Sequence, residues 1–155
     1  MVQHTTVSNF LSTSSLVPSF TTTTYTFAAR TVSNTPQNSV LRVYVPSQVT
    51  VGSNPAPACS GDGTGLPSSL TCTYNSALGY FEITNAFPTL TSYPPRDFTV
   101  SITNLQNPST ATPSSSFKLE TRTSSGGLID GLNSGMTVTV QCNAPCATCN
   151  ANAPS

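Results

Sequence analysis

Few side chains in this sequence can do chemistry. One histidine (His4), five carboxylates (Asp62, Glu82, Asp97, Glu120 and Asp130) and five cysteines (Cys59, Cys72, Cys142, Cys146 and Cys149) make up its acid–base and metal-ligand groups. Acid–base work and nucleophile activation need a histidine or a perturbed carboxylate beside a partner. His4 stands near the terminus without one and reads as a solvated residue. Asp62-Gly63-Thr64-Gly65 looks superficially like an aspartic-protease loop. That chemistry requires Asp followed directly by Ser or Thr and then Gly, present twice, so that two carboxylates share a proton. Neither condition is met, and a turn is the better reading. Asp130, in Leu128-Ile129-Asp130-Gly131, reads as a turn acid, and Glu82 and Glu120 as outward-facing cross-strand partners, the latter close to Arg122. No acid spacing resembles a calcium loop. The sequence therefore assigns no catalytic residue, no metal site and no cofactor, and the expectation is a protein that is not an enzyme.

The cysteines carry the remaining chemistry. Cys59 and Cys72 enclose a Gly- and Pro-rich stretch between strand-like flanks. A disulfide between them closes a loop of about a dozen residues and restricts the unfolded chain by roughly 3 kcal/mol. Cys142, Cys146 and Cys149 crowd together as Cys142-Asn-Ala-Pro-Cys146-Ala-Thr-Cys149. Half a zinc site is the competing reading of Cys146-x-x-Cys149, but no second Cys pair or His pair accompanies it. Disulfides in an oxidising, extracellular setting are favoured, and the odd total points to a partner for one thiol outside these residues. Met1 to His4 lacks the basic and apolar regions of a secretory leader, so an extracellular chain of this sequence is expected to be a mature or internal piece.

Something must position these groups, and composition limits what it is. Only 6% of the 155 residues are charged, with Lys plus Arg and Asp plus Glu both at 5 and the formal net charge zero; soluble domains average about 25% charged. Hydroxyls replace the charges: 23 Ser and 26 Thr. The scattered cations (Lys118, Arg30, Arg42, Arg96 and Arg122) make no basic patch, which excludes nucleic acid as a partner. No apolar run approaches the ~18–20 residues that insert in a bilayer. Zero net charge also argues against disorder, which usually pairs low hydrophobicity with high net charge.

Period-two alternation recurs along the chain and helical stripes hardly at all. Tyr25 and Phe27 share a face, as do Leu41, Val43 and Val45, with Arg42 and Tyr44 on the other side. Val49 and Val51 form a short continuation. Leu70, Cys72 and Tyr74 alternate, then Asn75 to Gly79 turns into Tyr80 to Thr84, with Phe81 and Ile83 in phase. Phe98, Val100 and Ile102 follow, ending near Asn104; then Phe117, Leu119 and Thr121; and lastly Met136, Val138, Val140 and Cys142. Pro46, Pro55, Pro57, Pro67, Pro88, Pro94, Pro95, Pro108 and Pro113 all fall between these runs, where a missing N–H breaks no ladder. The fold expected is all-β, an Ig-like antiparallel β-sandwich of seven to eight strands stapled by disulfide, over residues 21–141. Residues 1–20 read as an N-terminal extension or a first or donor strand, and 142–155 as the start of a cysteine-rich segment or a linker. No Asn-x-Ser/Thr sequon survives, since Pro108 excludes the one at Asn107. Thr21, Thr22, Thr23 and Thr24, and the tract from Ser109 to Ser116, are candidate O-glycosylation sites.

An ordered set of motifs carries a family resemblance. Asn104-Leu105-Gln106-Asn107-Pro108-Ser109-Thr110, Ser116-Phe117-Lys118-Leu119-Glu120-Thr121, Gly127-Leu128-Ile129-Asp130 and Ser134-Gly135-Met136-Thr137-Val138-Thr139, with Tyr25-Thr26-Phe27 and Val43-Tyr44-Val45-Pro46-Ser47 upstream, resemble a module of large ciliate-type protist surface proteins. In that family the module precedes cysteine-rich repeats of the furin and growth-factor-receptor type, whose opening Pro145-Cys146-Ala147-Thr148-Cys149-Asn150 resembles. The resemblance implies an extracellular Ig-like sandwich without catalysis, and reaches no further upstream than Thr21.

Two functions are expected from this reading. The first is a building block of an extracellular coat or filament, with copies of itself or neighbouring domains of a longer chain as partners. Its apolar N-terminal residues Val7, Phe10, Leu11, Leu16, Val17 and Phe20 would complete the next subunit by strand addition. The second is an adhesion module that binds glycans through Tyr44, Tyr74, Tyr80 or Tyr93.

Overall fold

A computed structural model describes residues 10–141. The chain forms β1 (Phe10–Thr13), β2 (Thr23–Arg30), β3 (Thr35–Pro36), β4 (Val40–Tyr44), β5 (Thr50–Val51), β6 (Cys59–Gly61), β7 (Ser69–Leu70), β8 (Cys72–Asn75), β9 (Tyr80–Ile83), β10 (Ser92–Tyr93), β11 (Asp97–Gln106), β12 (Lys118–Arg122) and β13 (Leu128–Leu132). Every pairing among them is antiparallel.

Two sheets share one core. The first has the order β1-β2-β11-β6-β7, with β5 also pairing β11, and the second the order β13-β12-β4-β9-β8. This is the ABED and GFC arrangement of an Ig-like sandwich. β9 and β8 extend the second sheet, but the chain reaches them after β6 and β7 rather than directly from β4. The alternation in the sequence becomes the division between inside and outside. Tyr25, Phe27, Val100 and Ile102 of the first sheet meet Leu41, Val43, Phe81 and Ile83 of the second. Phe117, just ahead of β12, sits between them, with its ring centroid 5.3 Å from that of Tyr25 and 5.1 Å from that of Phe27.

The strand count is corrected from seven or eight to thirteen. Four of the extra elements, β3, β5, β7 and β10, have two residues each, too short to leave a periodic signal; β5 and β7 pair with the first sheet, while β3 and β10 pair with each other as a separate two-stranded sheet. The run Leu70–Tyr74 is two strands: the ladder breaks at Thr71, and the chain passes there from the first sheet to the second. β11 also continues beyond Asn104 through a bulge between Ile102 and Leu105, where Asn104 takes φ 59°. Met136, Val138 and Val140 are buried as the alternation predicts, yet they form no ladder. The backbone N–H groups of Phe117 and Ser114 donate instead to the Met136 and Val138 carbonyls. Asp130 is no turn acid; it lies buried in β13. That strand lacks apolar alternation because a carboxylate occupies an inward position. Its Oδ2 accepts from the Val32 and Ser33 N–H groups and its Oδ1 from the Ser33 hydroxyl.

The Cys59–Cys72 disulfide is present and joins β6 of the first sheet to β8 of the second, at a Cα separation of 6.0 Å. It closes the side of the sandwich where the chain crosses at Thr71. Its contribution is mostly the entropy withheld from the unfolded chain, about 3 kcal/mol for a sequence separation of 13. The Cys59→Ala/Cys72→Ala double variant is therefore expected to remain a β-sandwich by circular dichroism and to lose about 3 kcal/mol in a urea titration. An unchanged midpoint would show that the staple does not constrain unfolding.

Candidate functional site

Charged side chains on this scaffold serve the architecture. Arg42, between β9 and β12, faces Glu82 on one side and Glu120 on the other, so that signs alternate along a row. Its guanidinium pairs with Glu82 at 2.6 Å and lies over the Tyr80 ring, 4.5 Å from the centroid. Burial opposes the Arg42 charge, but the Glu82 carboxylate outweighs it and raises the pKa. Glu120 takes a bond from Arg122 Nε at 2.8 Å and from the Tyr44 hydroxyl at 3.0 Å. Burial and the Glu120 carboxylate together raise the Tyr44 pKa. Glu82 and Glu120 thus make cross-strand pairs as expected from the sequence. Among the described residues no group of three His, Cys, Asp or Glu side chains is placed to hold a metal.

Asp62 is a turn residue with a second attachment. Its Oδ1 accepts from the N–H groups of Thr64, Gly65 and Leu66, and its Oδ2 reaches across to the Thr99 N–H on β11. The carboxylate therefore shapes the loop inside the disulfide and ties it to the central strand of the first sheet. Burial disfavours its charge, but the four backbone donors outweigh burial and hold its pKa below the usual value.

The tyrosines proposed for glycan contact are mostly consumed by packing. Tyr80 is 7% exposed and Tyr93 5%. Tyr74 packs its ring against Phe81 at 4.8 Å. The Tyr93 hydroxyl accepts from the Thr89 and Leu90 N–H groups; burial opposes ionisation, yet these donors and Arg96 bring its pKa down. Only Tyr44 and Tyr74 remain partly exposed, and the turn between Tyr74 and Tyr80 presents no pair of open rings.

The predicted assembly residues occupy one edge of the first sheet. Val7 lies outside the described residues, as do Cys142, Cys146 and Cys149. Phe10 and Leu11 belong to β1, which pairs with β2 of its own chain from Phe10 opposite Ala28 to Thr13 opposite Tyr25. Leu16, Val17 and Phe20 follow on the surface, 40%, 54% and 43% exposed. This loop is held by a residue that the sequence did not mark, Asn107. Its Oδ1 accepts from the buried Tyr25 hydroxyl at 2.7 Å, and its Nδ2 donates to the carbonyls of Ser15 and Val17, each at 2.9 Å. Burial alone raises the Tyr25 pKa, so the phenol stays a donor. Of the candidate O-glycosylation threonines at 21–24, Thr21 and Thr22 are exposed and Thr24 is half-buried, while Thr23 is fully buried and points into the core.

The outer face of the first sheet shows a pattern visible only once the register is known. Ser12 lies opposite Thr26, Thr26 opposite Ser101, Ser101 opposite Ser60, and Ser60 opposite Ser69. One row of hydroxyls thus crosses all five strands, with Thr26 Oγ1 and Ser101 Oγ 2.9 Å apart. The ion pair of this face, Arg30–Asp97 at 3.4 Å, stands at the end of β2. The two outer faces therefore differ: one is neutral and hydroxylated, the other carries alternating charge.

No family model matches this chain, and no curated protein matches it.

Two outcomes follow from these polar anchors. Asn107→Leu strands the Tyr25 hydroxyl and the Ser15 and Val17 carbonyls, and is expected to cost about 2–4 kcal/mol and to speed amide exchange over residues 14–20 before global unfolding. Asp62→Ala is expected to cost about 1 kcal/mol, the usual loss for an aspartate that caps backbone donors. Because the Asp62 pKa is lower folded than unfolded, its contribution is complete above about 4, the unfolded aspartate value, and is lost as pH falls from there through the lower folded value. A pH series of urea midpoints should therefore converge for wild type and Asp62→Ala in acid; parallel curves would remove this role.

Proposed function

We propose that the protein is a non-catalytic building block of an extracellular coat or filament. The observation that carries this reading is the neutral hydroxyl row across the whole outer face of the first sheet. Two copies can bring such faces together without like-charge repulsion and without stripping water from ions, which are the terms that keep most soluble surfaces apart. The disulfide between the sheets is compatible with an oxidising location. The motif resemblance to the surface modules of protists supports the same reading, and the exposed Thr21 and Thr22 offer room for O-linked sugars. Partners on this reading are further copies of the chain or adjoining modules. No observation favours the adhesion alternative over it.

Sedimentation velocity and negative-stain microscopy of the oxidised chain test the proposal. Mass is expected to grow with concentration. The Ser60→Lys/Ser101→Lys variant should weaken association at least tenfold at low salt and regain part of it when salt screens the new charges. A chain that stays monomeric throughout overturns the reading.

A further inference from the structure

One side of the sandwich lacks a ladder. There β1 and the segment Met136–Gln141 form the two walls of a groove of about 210 Å³, lined by Leu11, Ser12, Thr13, Leu16, Thr137, Val138 and Thr139. Hydrogen-bond parity shows what the walls present. The Ser14 N–H donates to the Thr24 carbonyl, so even-numbered residues of β1 face β2, and the N–H and C=O groups of Leu11 and Thr13 face the groove. On the other wall the Met136 and Val138 carbonyls accept from Phe117 and Ser114. In an extended chain the backbone groups of Thr137 and Thr139 then point the opposite way. The Gln141 N–H confirms that direction, since it donates to the Leu16 carbonyl and closes one end of the groove. Among the described residues, the backbone groups of Leu11, Thr13, Thr137 and Thr139 have no hydrogen-bond partner.

We propose that this groove accepts one extended strand from a second copy of the chain, and that the strand is residues 2–8. The inference rests on the assembly reading above and names the contact that makes it. Both walls offer backbone donors and acceptors, so an inserted strand bonds on both sides, as strand addition requires. Inward, its neighbours are Leu11 and Val138; at the closed end stands the half-exposed Leu16. The sequence Val2-Gln3-His4-Thr5-Thr6-Val7-Ser8 has no proline, no glycine and no acid or lysine, and its Thr5-Thr6-Val7 run is β-branched. With Val7 inward, the outer positions are hydroxyl or amide, matching the adjacent row. Phe10 keeps its backbone groups on β2, so folding back within the same chain could bond only from Leu11 onward, through a loop of residues 7–10 that takes Val7 out of the inserted strand. The strand is therefore donated in trans. Phe10 lies at the Ala28 end of β1, opposite the end that Leu16 and Gln141 close, so each copy presents its donor strand beside the open end of its own groove.

Amide exchange on the full oxidised chain, with free thiols alkylated, tests the site. Comparing dilute monomer with concentrated assembly, the Leu11, Thr13, Thr137 and Thr139 amides should slow at least tenfold. A synthetic peptide of residues 1–9, in excess, should compete and shorten the assemblies. Thr137→Pro removes one groove-facing N–H from an exposed position and should abolish assembly with an unchanged melting temperature. If that variant does not fold, Val7→Asp alters only the donor and should give the same loss. Assembly that leaves the four amides unprotected overturns the groove while sparing the coat reading. Protection already present in dilute monomer means filling in cis and overturns donation between copies. Absence of assembly at any concentration overturns both.

Discussion

The buried amide of Asn107 ties together three separate parts of this molecule: β2, the end of β11 and the loop after β1. It stands at the end of β11 among apolar neighbours, where an unpaired amide would cost several kcal/mol. All its N–H donors are used and Oδ1 is engaged: the side chain takes the Tyr25 hydroxyl and gives to Ser15 and Val17, and its backbone N–H donates to Phe20. Those contacts turn the loop between β1 and β2 into a fixed part of the sandwich. Because Leu16 lies within that loop, Asn107 also sets where the Leu16 carbonyl meets Gln141, and hence where the groove beside β1 closes. A core polar group thus determines the shape of a surface feature by way of a loop.

A chain with so few charges has to obtain its specificity from hydroxyls and backbone. The carboxylates are spent on attachments: Asp62 on four backbone N–H groups, Asp130 on the turn at Val32 and Ser33, and Glu82 and Glu120 on arginines. Serine and threonine cover what remains. On the first sheet they fall in one row because each strand alternates and the register aligns the outward positions. The outcome is two faces of unlike character on one small domain. One carries alternating charges along its middle row, and the other a row of hydroxyls with its ion pair, Arg30–Asp97, at the end of β2.

Sequence reasoning reached the layers of this fold but not its joins. Strands β2, β4, β9, β11 and β12 were legible because each buries alternate apolar residues, and burial imposes that period. The inward face of Met136–Val140 was legible for the same reason, although its hydrogen bonds go to a loop rather than a strand. β13 was hidden, since its inward anchor is Asp130 and a carboxylate reads as exposed until its partners, about a hundred residues away, are known. The break at Thr71 was equally hidden: Leu70 and Cys72 keep a perfect period while their strands belong to different sheets. Asn107 sat within a recognised motif, but nothing local tells a buried amide from a solvated one. The hydroxyl row depends on register across five strands, information that no single segment contains.

Edges decide whether such a sheet remains alone. Natural sheets guard them with lysine, proline, short length or a covering side chain. The one lysine here, Lys118, lies on β12, an interior strand between β13 and β4, and guards nothing. β7 has only two residues, and the Asn85 side chain occupies its flank by bonding the Ser69 carbonyl and the Thr71 N–H. β8 starts at the disulfide and ends in the turn at Asn75. β1, four residues long, has neither lysine nor proline: Phe-Leu-Ser-Thr is uncharged, and a groove runs along its outer side. A second wall facing it with matching backbone groups is not what an accidental edge looks like, because a free edge needs blocking rather than duplicating. On the proposal above, the open edge and the second wall together hold a strand.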